Sequence, residues 1–253
     1  RADPKKRLPL QGVIDEFRMF GDDLPQVVIT RNFNQQITAG KALLISLTFD
    51  DATNLGTDKS GMGNDADPTP SVLTDAPGTE IPVTKTYSSG APLAAAASTP
   101  AKFNGQVASV IRINPRQEGF SLNLFQKAFT MQLWVKRTRQ SVDEVCVSSG
   151  RGKGKGGKGK ELNFGFDKDN SLSFSFGKDA DKPKPDRLQI KGASGFKGKF
   201  GNDTNRWVHW TFAYNPEQQK RAVFRDGSLV ETGFAPLTLS VTGNVFVGAK
   251  HDM

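Results

Sequence analysis

Residues 206–230, RWVHWTFAYNPEQQKRAVFRDGSLV, read as two strands and a turn. Trp207, His209, Thr211 and Ala213 alternate with Val208, Trp210, Phe212 and Tyr214, so each set faces one side of a strand. Asn215-Pro216 breaks that strand. A second run, Arg221 to Arg225, ends in Asp226-Gly227, a pair suited to a tight hairpin because both positions tolerate positive φ.

Working outward, the same grammar recurs. The chain has 253 residues with Gly 26, Pro 14 and Phe 18, and few helical patterns, which favours one all-β domain with many turns over two domains. Strands are predicted at 12–20, 42–49, 101–103, 107–113, 120–124, 128–136, 144–148, 161–166, 172–176, 187–190 and 245–248. About a dozen short strands at near-regular spacing fit a two-sheet antiparallel sandwich. Residues 1–11 form a basic lead, and 21–41 a mixed linker with an apolar run at Val27–Ile29. Residues 50–101, rich in Pro, Ala, Ser and Thr, read as a long surface excursion that buries little.

No apolar run approaches the roughly 20 residues of a bilayer span. The chain begins at Arg1, which reads as a processed protein or a fragment with any targeting segment removed. Cys146 stands alone, so no internal disulfide framework exists, and its apolar neighbours Val145 and Val147 mark it as a small buried hydrophobe. Asn202-Asp203-Thr204 is a glycosylation triplet of a kind common by chance. The net charge of +8 implies attraction to anionic surfaces or polymers, and says nothing of the fold.

Taken in order, five stretches resemble the laminin-G-like, concanavalin-A-type jelly roll. They are Leu47-Thr48-Phe49-Asp50-Asp51 with Asp58 to Asp65 (DKSGMGND), Lys102-Phe103-Asn104-Gly105, Phe129 to Lys136 (FTMQLWVK), Trp207 to Val230, and Phe246-Val247-Gly248. Each motif alone is weak, and their shared order points to the fold more than to any ligand. The family's closing strand is expected after Phe246-Val247-Gly248, but the chain stops at Met253. Its pattern stands at the front instead, as Gly12 to Phe20 (GVIDEFRMF). Residues 1–41 are therefore an extension whose strand 12–20 closes the sandwich of residues 42–253 or belongs to a preceding repeat, with exchange between copies as a third possibility. Closure within the chain is favoured, since a linker of about 21 residues spans the gap easily.

The resemblance also implies a structural calcium site near the early loop, with Asp50, Asp58 and Asn64 as ligands and Asp15 joining from a neighbouring strand. Against it stands the use of such residues simply to form turns. Residues 150–160, GRGKGKGGKGK, carry Arg151, Lys153, Lys155, Lys158 and Lys160 on a glycine chain. Two readings compete: capture of a polyanion, aided by Lys178, Lys182, Lys184, Lys191, Lys197 and Lys199, or a solvated hairpin tip. It is not a phosphate-binding P-loop, because Glu161 stands where Ser or Thr is required. Nucleic acid ranks lower still, lacking a recognised module or stacking platform.

Trp134, Trp207, Trp210 and Phe212 read as core. Catalysis finds little support. No paired-carboxylate strand of the glucanase kind is present, Asp15 and Glu16 are neighbours expected to face opposite ways, and neither His209 nor His251 belongs to a triad pattern. The expected function is a non-catalytic glycan- or matrix-binding module of an extracellular or surface protein, with an organelle lumen as the other compartment. Its partners would be anionic or neutral glycans or a matrix protein. The alternative is a structural subunit of a larger assembly, contacting other subunits through its extension and insertions. A polysaccharide-cleaving enzyme with an unrecognised site ranks third.

Overall fold

The computed structural model describes residues 7–34, 43–51, 53–68, 73–74, 100–106, 108–113, 127–150, 161–176, 186–190, 203–235 and 244–249. These residues form two facing sheets. One runs Ser228–Phe234 (β15), Lys220–Arg225 (β14), Val208–Asn215 (β13), Phe129–Arg137 (β8), Gln11–Phe20 (β2), Ala101–Asn104 (β6) and Leu73–Thr74 (β5). Leu43–Leu47 (β3) pairs with the far half of the β2 edge that β6 occupies. The other sheet runs Asp186–Ile190 (β12), Leu172–Phe176 (β11), Glu161–Phe166 (β10), Glu144–Gly150 (β9), Val245–Val247 (β16), Ile111–Ile113 (β7) and Ala66–Pro68 (β4). Leu8–Pro9 (β1) lies parallel to β9. The architecture is a concanavalin-A-type antiparallel sandwich.

Alternation fills the space between the sheets. Phe129, Met131, Leu133 and Val135 of β8 and Val208, Trp210, Phe212 and Tyr214 of β13 point inward and are buried. From the facing sheet, Phe164 meets Phe212 at 3.9 Å between ring centres, Phe176 meets Tyr214 at 4.8 Å and Phe174 meets Phe212 at 5.3 Å. Such contacts add about 0.5–1.5 kcal/mol each beyond simple burial. Asp226 and Gly227 carry φ of 50° and 75°, the tight turn that joins β14 to β15.

The strand read at 12–20 pairs inside the chain on both edges, with β8 on one side and β6 and β3 on the other. Other readings change. The linker at 21–41 contains a helix, Gln26–Phe33 (α1), which begins after Pro25, where fixed φ and a missing N–H suit a helix start. The excursion at 50–101 is partly packed, since Leu55 and Ala66 join the main core. The strand read at 107–113 is confined to Ile111–Ile113. Asp15 and Glu16 do not simply alternate: a bulge between Asp15 and Arg18, with Glu16 at φ 52°, inserts an extra residue opposite β8. The strand read at 120–124 and the loop at 150–160 fall largely outside the described residues.

Candidate functional site on the outer face of the β8 sheet

Residues that alternate away from the core form the outer face of the β8 sheet, and that face has two halves. Over β13 and β14 it is covered. Ile29 of α1 packs on Ala213, Ala222 and Phe224, with Leu24 beside them. Polar contacts fix the strap: Leu24 N–H donates to Thr130 Oγ1 at 3.0 Å, Thr30 Oγ1 donates to the Gly227 carbonyl at 3.0 Å, and Asn32 Nδ2 donates to Gln132 Oε1 at 2.9 Å. Phe33 stacks on Trp134, with ring centres 5.5 Å apart.

Beneath this cap lies His209, with its ring 5.1 Å from Trp134 and 5.6 Å from Phe33. Neither ring nitrogen has a hydrogen-bond partner. Burial, reinforced by the Arg18 guanidinium, drives its pKa down to about 3, so the ring is neutral. Arg18 is itself buried and donates to the Glu16 carboxylate, which burial holds above the ordinary range despite that partner. Trp134 and Trp207, expected in the central core, instead form a separate cluster here with Val13.

Over β6 and the adjoining ends of β2 and β8, at Gln11 to Val13 and at Lys136, the face is open. Val13 lies opposite Lys102 of β6 and opposite Lys136 of β8, placing the three in one row. The adjoining row holds Asn104 opposite Gln11, while Thr138 donates from both its backbone N–H (2.9 Å) and its hydroxyl (3.0 Å) to the Gln11 carbonyl. With Asn205 at one end, these residues line a groove of 420 Å³. Its floor depends on Gly12. A Cβ there would come 2.4 Å from the Lys136 carbonyl oxygen and 2.8 Å from the Arg137 Cα. The lining offers amides, a hydroxyl and two lysines beside the apolar Val13 and Phe103, and among the described residues no carboxylate, imidazole or thiol.

The residues read as calcium ligands are spread over separate environments. Asp58 Oδ1 accepts the backbone N–H groups of Ser46 and Ser60, both at 2.9 Å. Its Oδ2 accepts the Ser60 hydroxyl at 2.7 Å and the Asn64 N–H at 2.9 Å. Asn64 is buried, donates to the Leu44 carbonyl at 2.9 Å, and leaves its Oδ1 without a partner. Asp15 is buried on the outer face and accepts the Glu16 N–H, whereas Asp50 is exposed and close enough to raise the Glu16 pKa. Among the described residues no group of three or more His, Cys, Asp or Glu is gathered for a metal. This donor set fits a self-satisfied turn better than a cation shell, since four donors already occupy the Asp58 carboxylate.

Arg151, Lys153, Lys155, Lys158 and Lys160 lie outside the described residues, as do the downstream lysines grouped with them. Cys146 is buried, and burial pushes its thiol above the ordinary range, leaving it unreactive. No helix among the described residues is long and apolar enough to cross a membrane.

Lys102, Lys136, Gln11, Asn104 and Thr138 were not among the sequence candidates. Polar alternation along Thr130, Gln132, Trp134 and Lys136 signals a wetter face of β8. Only the register of β2 with β6 and β8 brings the groove residues side by side.

A family model described as the concanavalin A-like lectin/glucanases superfamily, of laminin-G type, matches residues 113–252, more than half of the chain. The chain belongs to this superfamily. Among solved structures, the botulinum neurotoxin type G receptor binding domain is similar at 12% identity and TM-score 0.50, over 75% of this chain and 39% of that one. The carbohydrate-binding module CBM40 of a Ruminococcus gnavus sialidase, bound to α2,3-sialyllactose, gives 15% identity and TM-score 0.36 over 47% of this chain and 61% of that one. Mouse laminin α1 domains LG4-5 give 15% identity and TM-score 0.37 over 54% and 31%. The chain thus spans less than two thirds of each of these structures. Among curated proteins none matches. The family match and the likeness to the toxin domain agree with the concanavalin-A-type sandwich described above.

Proposed function

We propose that this concanavalin A-like domain is a non-catalytic recognition module that binds a glycan chain in the open groove over β6, β2 and β8. The observation that supports it most is the groove lining. Side-chain amides of Gln11, Asn104 and Asn205 and the Thr138 hydroxyl stand beside Val13 and Phe103, a mixed apolar and polar lining of the kind small-molecule sites use. The 420 Å³ volume falls within the roughly 300–1,000 Å³ of small-molecule sites. Glycoside cleavage needs two carboxylates flanking the bond, and this groove supplies none. Membership of a superfamily that holds both lectins and glucanases is consistent with a carbohydrate ligand, and likeness to a receptor binding domain favours the binding reading. The proposal places the protein outside the cell or at its surface, where such ligands occur.

The test is calorimetric titration with a panel of neutral and acidic oligosaccharides, repeated on Gln11→Ala. Saturable binding that weakens about fivefold in the variant, the loss of about one neutral hydrogen bond, supports the reading. Absence of saturable binding across the panel overturns it. Structural calcium at Asp50, Asp58, Asn64 and Asp15 is a separate proposal that rests on the family resemblance alone, and the hydrogen bonds that already fill the Asp58 carboxylate weigh against it. A calcium-dependent rise in melting temperature, lost on Asp58→Asn, would support it, and an unchanged melt would refute it.

A further inference from the structure

We propose that Glu144 and Arg139 are a positioning pair for the groove, which grips its ligand while the Glu144 carboxylate is ionised and loosens when that carboxylate is protonated. The inference rests on the glycan-binding reading above and deepens it by naming how that site is regulated. Glu144 opens β9 and is fully buried. Its Oε1 accepts two donors, Arg139 Nε at 2.7 Å and the Gln11 backbone N–H at 3.2 Å. One wall of the groove is built on Gln11. Its carbonyl accepts both the N–H and the hydroxyl of Thr138, and it stands opposite Asn104 across the β2–β6 pairing. Arg139 braces the same wall, since its Nη2 donates to the Pro9 carbonyl. A Cβ added at Gly105, in the turn after β6, would come 3.1 Å from both Arg139 Nη1 and Gln11 Cβ. One buried carboxylate therefore holds Gln11 directly and Pro9 through Arg139, with the turn after Asn104 set closely against both side chains.

The second oxygen lets this carboxylate change state. Glu144 Oε2 is buried without a hydrogen-bond partner, so the ionised form keeps charge on an oxygen shut away from water. Burial accordingly raises the Glu144 pKa above its ordinary 4.5, against the Arg139 bond and charge, the Gln11 N–H and the Arg137 charge, which all favour ionisation. The strands paired with this end of β9 bring Leu8, Pro9, Gly165 and Phe166, none of them charged. Other polar and charged groups at this end are engaged: Arg137 donates to Asn170 at 3.0 Å, Arg7 pairs with Asp167 at 2.6 Å, and Asp143 accepts the Lys168 N–H at 2.9 Å. Cys146, two residues along β9, is held neutral by burial. A proton on Oε2 leaves Oε1 a neutral acceptor, and its bonds to Arg139 and Gln11 lose the charge assistance that makes such bonds roughly twice as strong. Stability responds in the opposite sense. With its folded pKa above the unfolded value, this group favours the native state in acid and loses that contribution as pH rises through the folded pKa. Acid thus loosens the groove wall without unfolding the domain through Glu144, and this contrast separates a positioning role from a merely structural one.

The first measurement needs no ligand: nitrogen–proton correlation NMR of the full chain, titrated from pH 7 to pH 4. The Gln11 and Thr138 backbone N–H groups and the Gln11 and Asn104 side-chain amides should shift with one shared midpoint above pH 4.5. Glu144→Gln, which fixes the neutral state, should abolish that shared titration. Arg139→Lys keeps the charge and loses the Nε bond, and should move the midpoint upward. Calorimetry with chitohexaose and maltohexaose, which carry no titratable group, then reads the consequence. Affinity should be about threefold weaker at pH 4 than at pH 7, and weak and pH-independent in Glu144→Gln. Groove resonances that do not titrate, or that titrate unchanged in Glu144→Gln, overturn the inference. Saccharide affinity that is equal at the two pH values overturns it too, while the glycan-binding reading stands. If the groove titrates through Glu144 but no saccharide binds, the glycan-binding reading falls and the hold of the carboxylate on the groove stands. Should Glu144→Gln fail to fold, Arg139→Lys decides, and an unmoved midpoint overturns the inference.

Discussion

The two halves of the outer face of the β8 sheet are built on shared strands and meet different fates. Over β13 and β14 the outward residues include Ala213, Ala222 and Phe224, and the strap lays Ile29 across them. Over β6 and the adjoining ends of β2 and β8 the outward residues include Lys102, Gln11, Asn104, Lys136 and Thr138 beside Val13, and the groove stays open. Apolar surface gains by being covered, at about 25 cal/mol per Å² removed from water, while amides and ammonium groups lose their hydration if capped without partners. The boundary between the halves runs through Trp134 and Val13, where the side chains change from apolar to polar. One sheet face thus serves stability at one end and leaves an open polar surface at the other.

Acid should separate the halves most strongly. His209 sits only in the covered half, with its pKa lowered to about 3 by burial and Arg18 from the ordinary value of 6.5. The Asp226 carboxylate faces its backbone rather than its ring, accepting the His209 N–H at 3.0 Å. An unfolded chain therefore takes up a proton below pH 6.5 that the native chain refuses until about pH 3. The contribution of this group is full above pH 6.5 and falls as pH drops through that window, by up to about 5 kcal/mol in all. Denaturant midpoints measured from pH 7 to pH 3.5 should show a steep acid limb, and His209→Gln should flatten it. A variant limb as steep as the parent's would show that the cap does not exclude the proton.

Removing the cap's anchor comes next. Ile29 is fully buried, so Ile29→Ala should cost about 2–4 kcal/mol by chemical denaturation. Glycan affinity of the folded fraction should not change, because Ile29 does not line the groove. A matched loss of affinity would mean that the halves are coupled and that the contrast drawn between them is wrong.

A smaller effect is expected at the turn under the helix. Gly227 has φ 75°, its carbonyl accepts the Thr30 hydroxyl, and an added Cβ would approach Phe33 to 3.1 Å. Gly227→Ala should cost about 1–2 kcal/mol from the left-handed backbone, visible as a lower melting temperature. Asn in its place, which tolerates that conformation better, should recover part of the loss unless crowding against Phe33 dominates.

Much of the sandwich was legible because alternation is local. The inward and outward sets of 207–214 follow from side chains alone, as does the turn at Asp226-Gly227. What escaped depends on partners distant in sequence. Residues 26–33 lack an N-cap side-chain bond and acidic residues in the first turn, and their helix is held by contacts with residues around 130, 213 and 227. The bulge at Glu16 defeats strict alternation, which no pattern of period two can foresee. Trp134 and Trp207 are buried as expected, but under the strap rather than between the sheets. The groove was illegible for a similar reason: Lys102, Gln11 and Lys136 become neighbours only through pairing across about 90 and 125 residues of chain.

The faintest effect on stability should accompany the clearest effect on binding. Gln11 is exposed, and its backbone rather than its side chain makes the contacts to Glu144 and Thr138. Gln11→Ala should therefore leave stability within about 0.5 kcal/mol. It removes the amide that sits between Asn104 and Thr138 on the groove wall, and should weaken an oligosaccharide about fivefold. Set beside Ile29→Ala, which should unsettle the fold and spare the ligand, the pair forms a double dissociation. Combining the two substitutions should give additive losses in each measurement, since residues without shared partners rarely couple by more than about 0.5 kcal/mol. A larger coupling would place the strap and the groove in one cooperative unit, and the outer face would then act as a single binding surface with a structural lid.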